Sequence, residues 1–456
     1  MIDTTKNPYE ATVPPVASGP PPEPGHPLTN PSFIGFVVTQ FLGAFNDNLF
    51  KQLLLLLAIP VAIEGAKAAG PDLQGIATVV FGLPFVIFGG LAGYLADRYS
   101  KRRVIVLSKV AEIVVMMLGM VAFLAAPIVG FNGLWVVLFL MGLQSAFFGP
   151  GKYGILPEML RPNQLARANG IVLMTTFIGI IFGTSLAGWL KDSVVDENVP
   201  RMVAARDLWI GSLFCIAVAV IGTFASLLIR PVNAAAPGLL FRLRYLGVPG
   251  AIISLLRRDR ALALALVASC VFWLIAGLTI QSVNSLCRVQ LGMTDTWTSI
   301  MVALISIGIA VGGALAGWMS RGGDGARVLK IGMWGVVVWC GLLAITIPGR
   351  GHLLGIMGVG PVLILLGAAA AFFAIPIQVF LQSRPPDDLK GRMIAVMNQA
   401  NFLAIVFSGL IYMLMDAVIS SMNWPRSALF AAMAILFLPV AIAYRLDIRE
   451  ADDAPV

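Results

Sequence analysis

Charged side chains are scarce in this chain. They make up 12% of its 456 residues, about half the share found in a water-soluble domain, which excludes a soluble enzyme, a disordered scaffold and a nucleic-acid binder. Cysteine is nearly missing as well. Cys215, Cys270, Cys287 and Cys340 stand in apolar stretches at irregular spacing, a pattern that suits neither a disulfide framework nor a metal site and predicts small buried hydrophobes. Histidine occurs twice, as His26 and His352, and five positions on stand Pro31 and Met357. A soluble acyltransferase motif needs an aspartate at that distance to orient the histidine, so no catalysis of that kind is expected, and no metal or cofactor.

The remainder is apolar. With 58% hydrophobic residues and a mean hydropathy of +0.89, the chain holds more apolar side chain than one water-facing fold can bury, and it reads as an integral membrane protein. From Phe33 onward, apolar stretches recur, each long enough for a hydrocarbon core of about 30 Å at about 1.5 Å per residue. The spans predicted are 33–59, 73–97, 104–127, 133–157, 165–190, 207–230, 261–287, 297–319, 327–347, 361–383, 392–415 and 425–445. This is an all-α membrane protein of twelve transmembrane helices.

Residues 1–31 hold nine prolines and no apolar run, so neither a signal peptide nor a helix is expected there, and a disordered cytoplasmic tail is. Of the 31 Lys and Arg, only Lys67, Lys191, Arg201, Arg206, Arg288, Arg350 and Arg426 fall on one side, Lys51 lies inside a span, and all others fall on the side of the termini. That bias predicts both termini on the cytoplasmic side of the membrane. The stretch 231–260 divides a first six-helix half (32–230) from a second (261–446), and a short tail (447–456) follows. In the linker, Arg242 and Arg244 stand among Leu239, Leu240, Phe241, Leu243 and Leu246. Either an amphipathic helix on an anionic leaflet or a basic loop accounts for them.

An internal repeat supports six plus six. Leu91-Ala92-Gly93-Tyr94 after Gly89-Gly90 is answered by Leu315-Ala316-Gly317-Trp318 after Gly312-Gly313, at an offset of about 224 residues, and Phe147-Phe148 by Phe372-Phe373. Two such halves form the architecture of carriers that rock around a central site. Between the second and third spans, Gly93-Tyr94-Leu95-Ala96-Asp97-Arg98-Tyr99-Ser100-Lys101-Arg102-Arg103 resembles the signature loop of the major facilitator superfamily. Gly93 allows close helix approach, and Asp97, with Arg98, Lys101, Arg102 and Arg103, is expected to act as a conformational latch at the membrane edge. The second half carries Arg321 where that aspartate would stand, so its latch is weaker.

The first span contains Gln40, Asn46, Asp47, Asn48, Lys51 and Gln52. Polar and ionised groups cost several kcal/mol at membrane depth, about 3 for a charge, which points to a cavity-lining site rather than to glue between helices. Asp47 and Lys51, at i and i+4, are expected to neutralise each other. The fourth span ends in Gly149-Pro150-Gly151-Lys152-Tyr153-Gly154-Ile155-Leu156-Pro157, where the Gly-Pro-Gly run is expected to break the helical ladder. Gln144 precedes it, and in the seventh span Gln281, Asn284 and Arg288 share a face. Further intramembrane polar groups that could complete a cavity are Glu112, Gln378, Gln382, Asn398, Gln399 and Asn401, and Asp416 and Arg426 are expected to flank the last outer loop.

The Asn-Asp-Asn run of the first span and the Pro-x-Lys-Tyr-x-Ile-Leu-Pro run of the fourth together resemble the bacterial lysophospholipid transporter family, and also the transporter half of its acyltransferase fusions, over roughly residues 33–190. That resemblance implies movement of lysophospholipid, mainly lysophosphatidylethanolamine, across a bacterial inner membrane to the cytoplasmic leaflet, where a separate acyltransferase would reacylate it. In such a carrier Asp47 would meet a headgroup ammonium, Lys51 or Lys152 the phosphodiester, and a cavity rich in Phe and Met the acyl chain. Asn46, Asn48, Gln40, Gln144, Tyr153, Gln281 and Asn284 would complete the site. The expected partners are substrate and membrane lipid, with the chain acting as a monomer. A proton-coupled exporter of amphipathic drugs or metabolites is the alternative, since it shares the fold, the latch and a buried carboxylate. A membrane acyltransferase component is the remaining rival, disfavoured by the missing His-Asp pair.

Overall fold

The computed structural model describes residues 28–60, 70–196, 198–239, 247–320, 325–349, 351–386 and 389–444. Among these, twelve long helices run in chain order: α1 Pro31–Ala58, α2 Gln74–Arg98, α3 Lys101–Leu124, α4 Ala126–Gly154, α5 Leu165–Val194, α6 Trp209–Leu227, α7 Arg260–Ser285, α8 Asp295–Met319, α9 Gly325–Ala344, α10 Gly355–Ser383, α11 Lys390–Ser421 and α12 Ala428–Ala443. Ten of them, α2 to α11, are long and apolar enough to cross a membrane. The polar run from Asn46 to Gln52 dilutes the hydropathy of α1, and α12 is a shorter apolar helix. The protein is a multi-pass membrane protein.

Each expected span corresponds to one of these helices, with shifted ends. In α4 a kink at Gly130, with φ 59° and ψ −154°, separates a short helical segment that begins at Ala126 from the long helix that follows. That backbone conformation is open to glycine at little steric cost. The expected break at Gly149-Pro150-Gly151 does not occur. The helix continues through Pro150 to Gly154 before a short turn, Leu156–Met159. Proline removes one hydrogen bond, and the surrounding bundle holds the helix across that single gap.

The first six helices pack as α1 on α5 and α6, α2 on α4, and α3 on α4 and α6; the second six pack as α7 on α10 and α11, α8 on α10, and α9 on α10 and α12. The two sets meet mainly along α2 with α11 and α5 with α8. A mutual close approach makes the first of these seams possible. A Cβ on Gly75 would collide with the Gly409 carbonyl, and a Cβ on Gly409 with the Gly75 carbonyl, so two small residues set the spacing.

A two-stranded hairpin, Thr346–Ile347 with Gly351–His352, marks one end of the bundle. The segment joining the two sets marks the other. It contains a nine-residue helix, Gly250–Arg258, with Ile252 buried and Arg257 and Arg258 exposed. Arg242 and Arg244, Arg321, the proline-rich tail and residues from 445 onward lie outside the described residues. Cys215, Cys287 and Cys340 are buried, Cys270 is partly so, and all four are free.

Candidate functional site

Helix α1 runs through the middle of the molecule and distributes its polar side chains in three directions. Asp47 faces α4, where its carboxylate accepts hydrogen bonds from Ser145 Oγ at 2.6 Å and Gln144 Nε2 at 3.2 Å. Asn46 turns to α3, donates to Glu112 Oε1 at 2.7 Å and is fully buried. Glu112 is in turn paired with Lys109, a buried pair whose breakage would leave a bare charge in the bundle. Toward α5, Gln40 Nε2 donates to Thr175 Oγ1 and to the Val172 carbonyl, while its Oε1 lies 2.8 Å from the Thr176 hydroxyl. Lys152, at the end of α4, donates to that same Thr176 at 3.1 Å. Gln40 and Lys152, far apart in sequence, therefore converge on one threonine.

The expected Asp47–Lys51 pair does not form among the described residues. Both lie on one face of α1, but the bundle supplies each with a different neighbour: Asp47 has the α4 hydroxyl and amide, and the Lys51 ammonium stands 5.3 Å over the Phe81 ring of α2. Such a cation–π contact contributes about 0.5–2 kcal/mol.

Lys51 also opens onto a cavity between the two sets. About 100 Å³ in volume, it is bounded by Asn48, Lys51 and Gln52 on α1 and Thr184 on α5, and otherwise mostly by apolar side chains of the second set. Asn48, whose Nδ2 donates to the Ala44 carbonyl at 2.7 Å, presents the rest of its amide there. Of the sequence-derived candidates, Asn48 and Lys51 line this cavity. Phenylalanine contributes Phe272, Phe373 and Phe437, but no methionine lines it, contrary to expectation.

Gln281 and Asn284, expected in the cavity, belong instead to a seal toward the hairpin end. Gln52 Nε2 donates to Asn284 Oδ1 at 3.0 Å, Asn284 Nδ2 to Gln74 Oε1 at 3.0 Å, and Gln74 Nε2 reaches Asp72, Tyr412 and the Gln281 carbonyl. Gln281 donates back to Gly277 of its own helix. Beside this network Lys191 of α5 pairs with Asp295 of α8, and Arg288 Nε stands 3.2 Å from the other oxygen of Asp295 without hydrogen-bond alignment. Asp192 caps α8 from across the seam, accepting from the amides of Asp295 at 3.0 Å and Thr296 at 2.7 Å. Asp416 and Arg426, expected to flank the last outer loop, form an ion pair at this end.

Along α2 and α11 the contact continues through stacked Phe85 and Phe402, 3.7 Å between ring centres, to Gln399 Nε2 donating to the Val86 carbonyl at 2.8 Å. Beyond that level a Cβ on Gly89, Gly93, Gly170 or Gly317 would meet nothing within 4 Å. Every side-chain hydrogen bond that joins the two sets among the described residues thus lies between mid-depth and the hairpin end. Among the described residues, the polar contacts between the two sets gather toward the hairpin end.

Asp97 lies at the end opposite the hairpin. Its carboxylate makes no hydrogen bond or ion pair among the described residues, and its backbone carbonyl accepts from Ala236 of the linker at 2.8 Å. The neighbouring cations hold the first set and the linker: Arg98 donates to Leu239 O at 3.0 Å and lies over Tyr94 and Tyr99, Lys101 pairs with Glu158, and Arg102 donates to Leu227 O at 3.2 Å. Gln378, Gln382 and Asn398 are exposed, and Asn401 accepts from Ser269 of α7 at 2.9 Å. The Tyr153 side chain lies outside what is described. Sequence reasoning missed Ser145, Thr176, Asp72 and Tyr412. Hydroxyls are ordinary in membrane helices, so only their placement beside Asp47 and Lys152 distinguishes the first two.

Comparison with known proteins places this architecture. A family model described as Major Facilitator Superfamily matches residues 36–409. Two proteins named lysophospholipid transporter LplT are 29% identical to the chain: that of Pectobacterium carotovorum subsp. carotovorum (strain PC1) over 381 residues, covering 82% of this chain and 84% of its own, and that of Yersinia pestis (strain Pestoides F) over 394 residues, covering 84% and 86%. Among solved structures, a POT family transporter in complex with a thioalcohol-conjugated peptide superposes with a TM-score of 0.69 at 14% identity, covering 90% of this chain and 94% of its own. A Major Facilitator Superfamily transporter, FucP, in the outward conformation, gives 0.59 at 16% identity over 90% and 96%.

Proposed function

The chain belongs to the major facilitator superfamily, and within it we propose that it is a carrier of lysophospholipid, lysophosphatidylethanolamine foremost, working by alternating access in a bacterial inner membrane. One observation carries this reading: a cavity between the two sets of helices has a polar wall on α1, including the cation Lys51, and mostly apolar walls elsewhere. A molecule with a small zwitterionic head and a greasy body matches both surfaces. The names of the two relatives point the same way.

In this mechanism Asp47 meets the headgroup ammonium, exchanging its bonds with Ser145 and Gln144 for it, and Lys51 and Lys152 hold the phosphodiester. The two sets of six helices rock about the cavity. The bias of Lys and Arg supports a cytoplasmic position for the end opposite the hairpin, the side on which release toward the cytoplasmic leaflet would occur. Asp97 is then a latch at rest, to be engaged when that side closes. A separate acyltransferase consumes the delivered lysolipid.

The test is reconstitution in liposomes, following leaflet transfer of labelled lysophosphatidylethanolamine by the parent, Asp47→Ala and Lys152→Ala beside empty vesicles. Transfer that needs the protein and falls at least ten-fold in both variants is the expected result. Parental rates in folded variants would remove these residues from the mechanism. The link from Asn46, beside Asp47, to buried Glu112 favours a second reading, proton-coupled export of amphiphiles. Dye efflux driven by a pH gradient, without lysolipid transfer, would select it.

A further inference from the structure

We infer that the second-set side of the central cavity is an acyl slot of fixed depth, and that the rings of Phe272, Phe373 and Phe437 set the longest chain the carrier accepts. This rests on the lysolipid reading and adds the element that measures the tail.

The depth follows from which helices contribute. The cavity begins at α1, where Asn48, Lys51 and Gln52 line it, and reaches Val336 on α9 and Phe437 on α12. Those two helices find their main packing partners in α10 and in each other, within the second set. A cavity touching both α1 and α12 therefore passes through the inner helices into the core of the second set. Its polar end and its far end are separated by a layer of packed helices, each about 8–10 Å across at contact.

The far end is rigid. Phe373 packs edge-on against Phe437 at 5.3 Å between ring centres and tilts against Phe272 at 6.2 Å. Phe373 and Phe437 are each 1% exposed, so their neighbours hold the rings in place. Flexible methionines would yield to a longer tail, and none lines the cavity. Between the ends the walls accept an alkyl chain. Thr279, one of the few polar lining residues of the second set, donates its hydroxyl to Ile275 of its own helix at 2.7 Å. With the headgroup fixed near Lys51, each added methylene should tighten binding about four-fold until the tail meets the rings, and then cease to do so.

The experiment uses the full chain in liposomes and lysophosphatidylethanolamines with saturated tails from about ten to about eighteen carbons, the range over which methylene burial accumulates. Apparent affinity is read by competition against one labelled lysolipid. Phe437→Leu and Phe373→Leu should move the optimum to longer tails. Ala276→Leu and Ala370→Leu, which fill the slot from its walls, should move it to shorter tails, and this second pair protects the test should the phenylalanine variants misfold. Competition by glycerophosphoethanolamine, which has the head and no tail, should stay unchanged. A length profile that stays put in folded variants of a protein that carries lysolipid would overturn the slot while leaving the carrier reading intact. A parent that neither binds nor moves any lysolipid would overturn both.

Discussion

Tyr412 of α11 donates its hydroxyl to Asp72 Oδ2 at 2.8 Å, tying the second set of helices to the residue that leads into α2 of the first. Tyr412 is fully buried, Asp72 is 6% exposed, and Gln74 donates to the same carboxylate through its amide and its side chain. In a carrier that works by alternating access, this bond would break when the hairpin end opens. Tyr412→Phe keeps the ring and deletes the donor, so it should weaken the closed state by about 1 kcal/mol, or about five-fold in population. Distances between spin labels across the α2–α11 seam would register the shift. An unchanged distribution would show that the seal does not depend on this bond.

The same carboxylate makes the seal sensitive to pH. Burial raises Asp72 above the ordinary carboxylate range, the hydrogen bonds from Gln74 and Tyr412 oppose this in part, and nearby Asp416 adds to the rise. In an open hairpin end, where water reaches it, the group returns toward about 3.9. The sealed state therefore binds the proton more tightly and gains as pH falls. From the ordinary value up to the sealed-state value, each unit of rising pH costs the sealed state up to about 1.4 kcal/mol. The same spin-label measurement as a function of pH should show closure favoured by acid, and Asp72→Asn should flatten the curve.

Asp259 behaves in the opposite sense, at the other end. It caps α7 by accepting from the Leu262 amide at 2.9 Å, and Arg384 Nε, just past α10, donates to it at 2.6 Å. Partial burial alone would raise its carboxyl, but the Arg384 hydrogen bond and charge and the cap bonds hold it below the ordinary range. Its contribution is thus complete above about pH 4 and lost as pH falls through the lower folded value. Asp259→Asn should keep the cap and lose the ion pair, and Asp259→Ala should lose both, costing about 1 kcal/mol more. Thermal unfolding in detergent at neutral pH would rank the three proteins, and the ranking should narrow in strong acid.

Twelve spans were legible because hydropathy is a property of whole stretches, and even α1, diluted by its polar run, could be placed. The partners of the polar side chains were not. The rule that pairs Asp47 with Lys51 holds for a helix in water, where the nearest ion is on the same surface. Inside a bundle every face of α1 meets another helix, and Ser145 and Phe81 reach those groups first. For the same reason Asn284, near Gln281 on α7, was legible as polar and inward but not as part of a seal. Its partners Gln52 and Gln74 lie more than two hundred residues away in the chain.

Lys191 and Asp295 offer a direct measure of what the seam contributes. Both are nearly fully buried, and Arg288 is the only other cation within ion-pair reach of Asp295 among the described residues. Lys191→Met should destabilise the protein by about 3 kcal/mol, because Asp295 keeps its charge and loses its aligned partner. Adding Asp295→Asn should recover part of that loss, because the buried carboxylate is removed along with its lost partner. A double-mutant cycle on thermal stability would separate the pair from the remnant, and strictly additive losses would show that the two residues do not interact.

Ser145 separates a structural from a functional role for Asp47. Its hydroxyl donates to Asp47 Oδ2 at 2.6 Å from the neighbouring helix, while Gln144 reaches the other oxygen. If that carboxylate exists to meet a headgroup cation, the hydroxyl aims it and must yield when substrate arrives. Ser145→Ala should then leave the fold intact, cost about 1 kcal/mol in binding through lost orientation, and raise the half-saturating concentration of lysolipid about five-fold with little change in maximal rate. Asp47→Asn should be more severe, because the amide keeps the shape and loses the charge. A carboxylate that served only to join α1 to α4 would give another pattern, in which both variants lose thermal stability together and transport by the folded fraction stays normal.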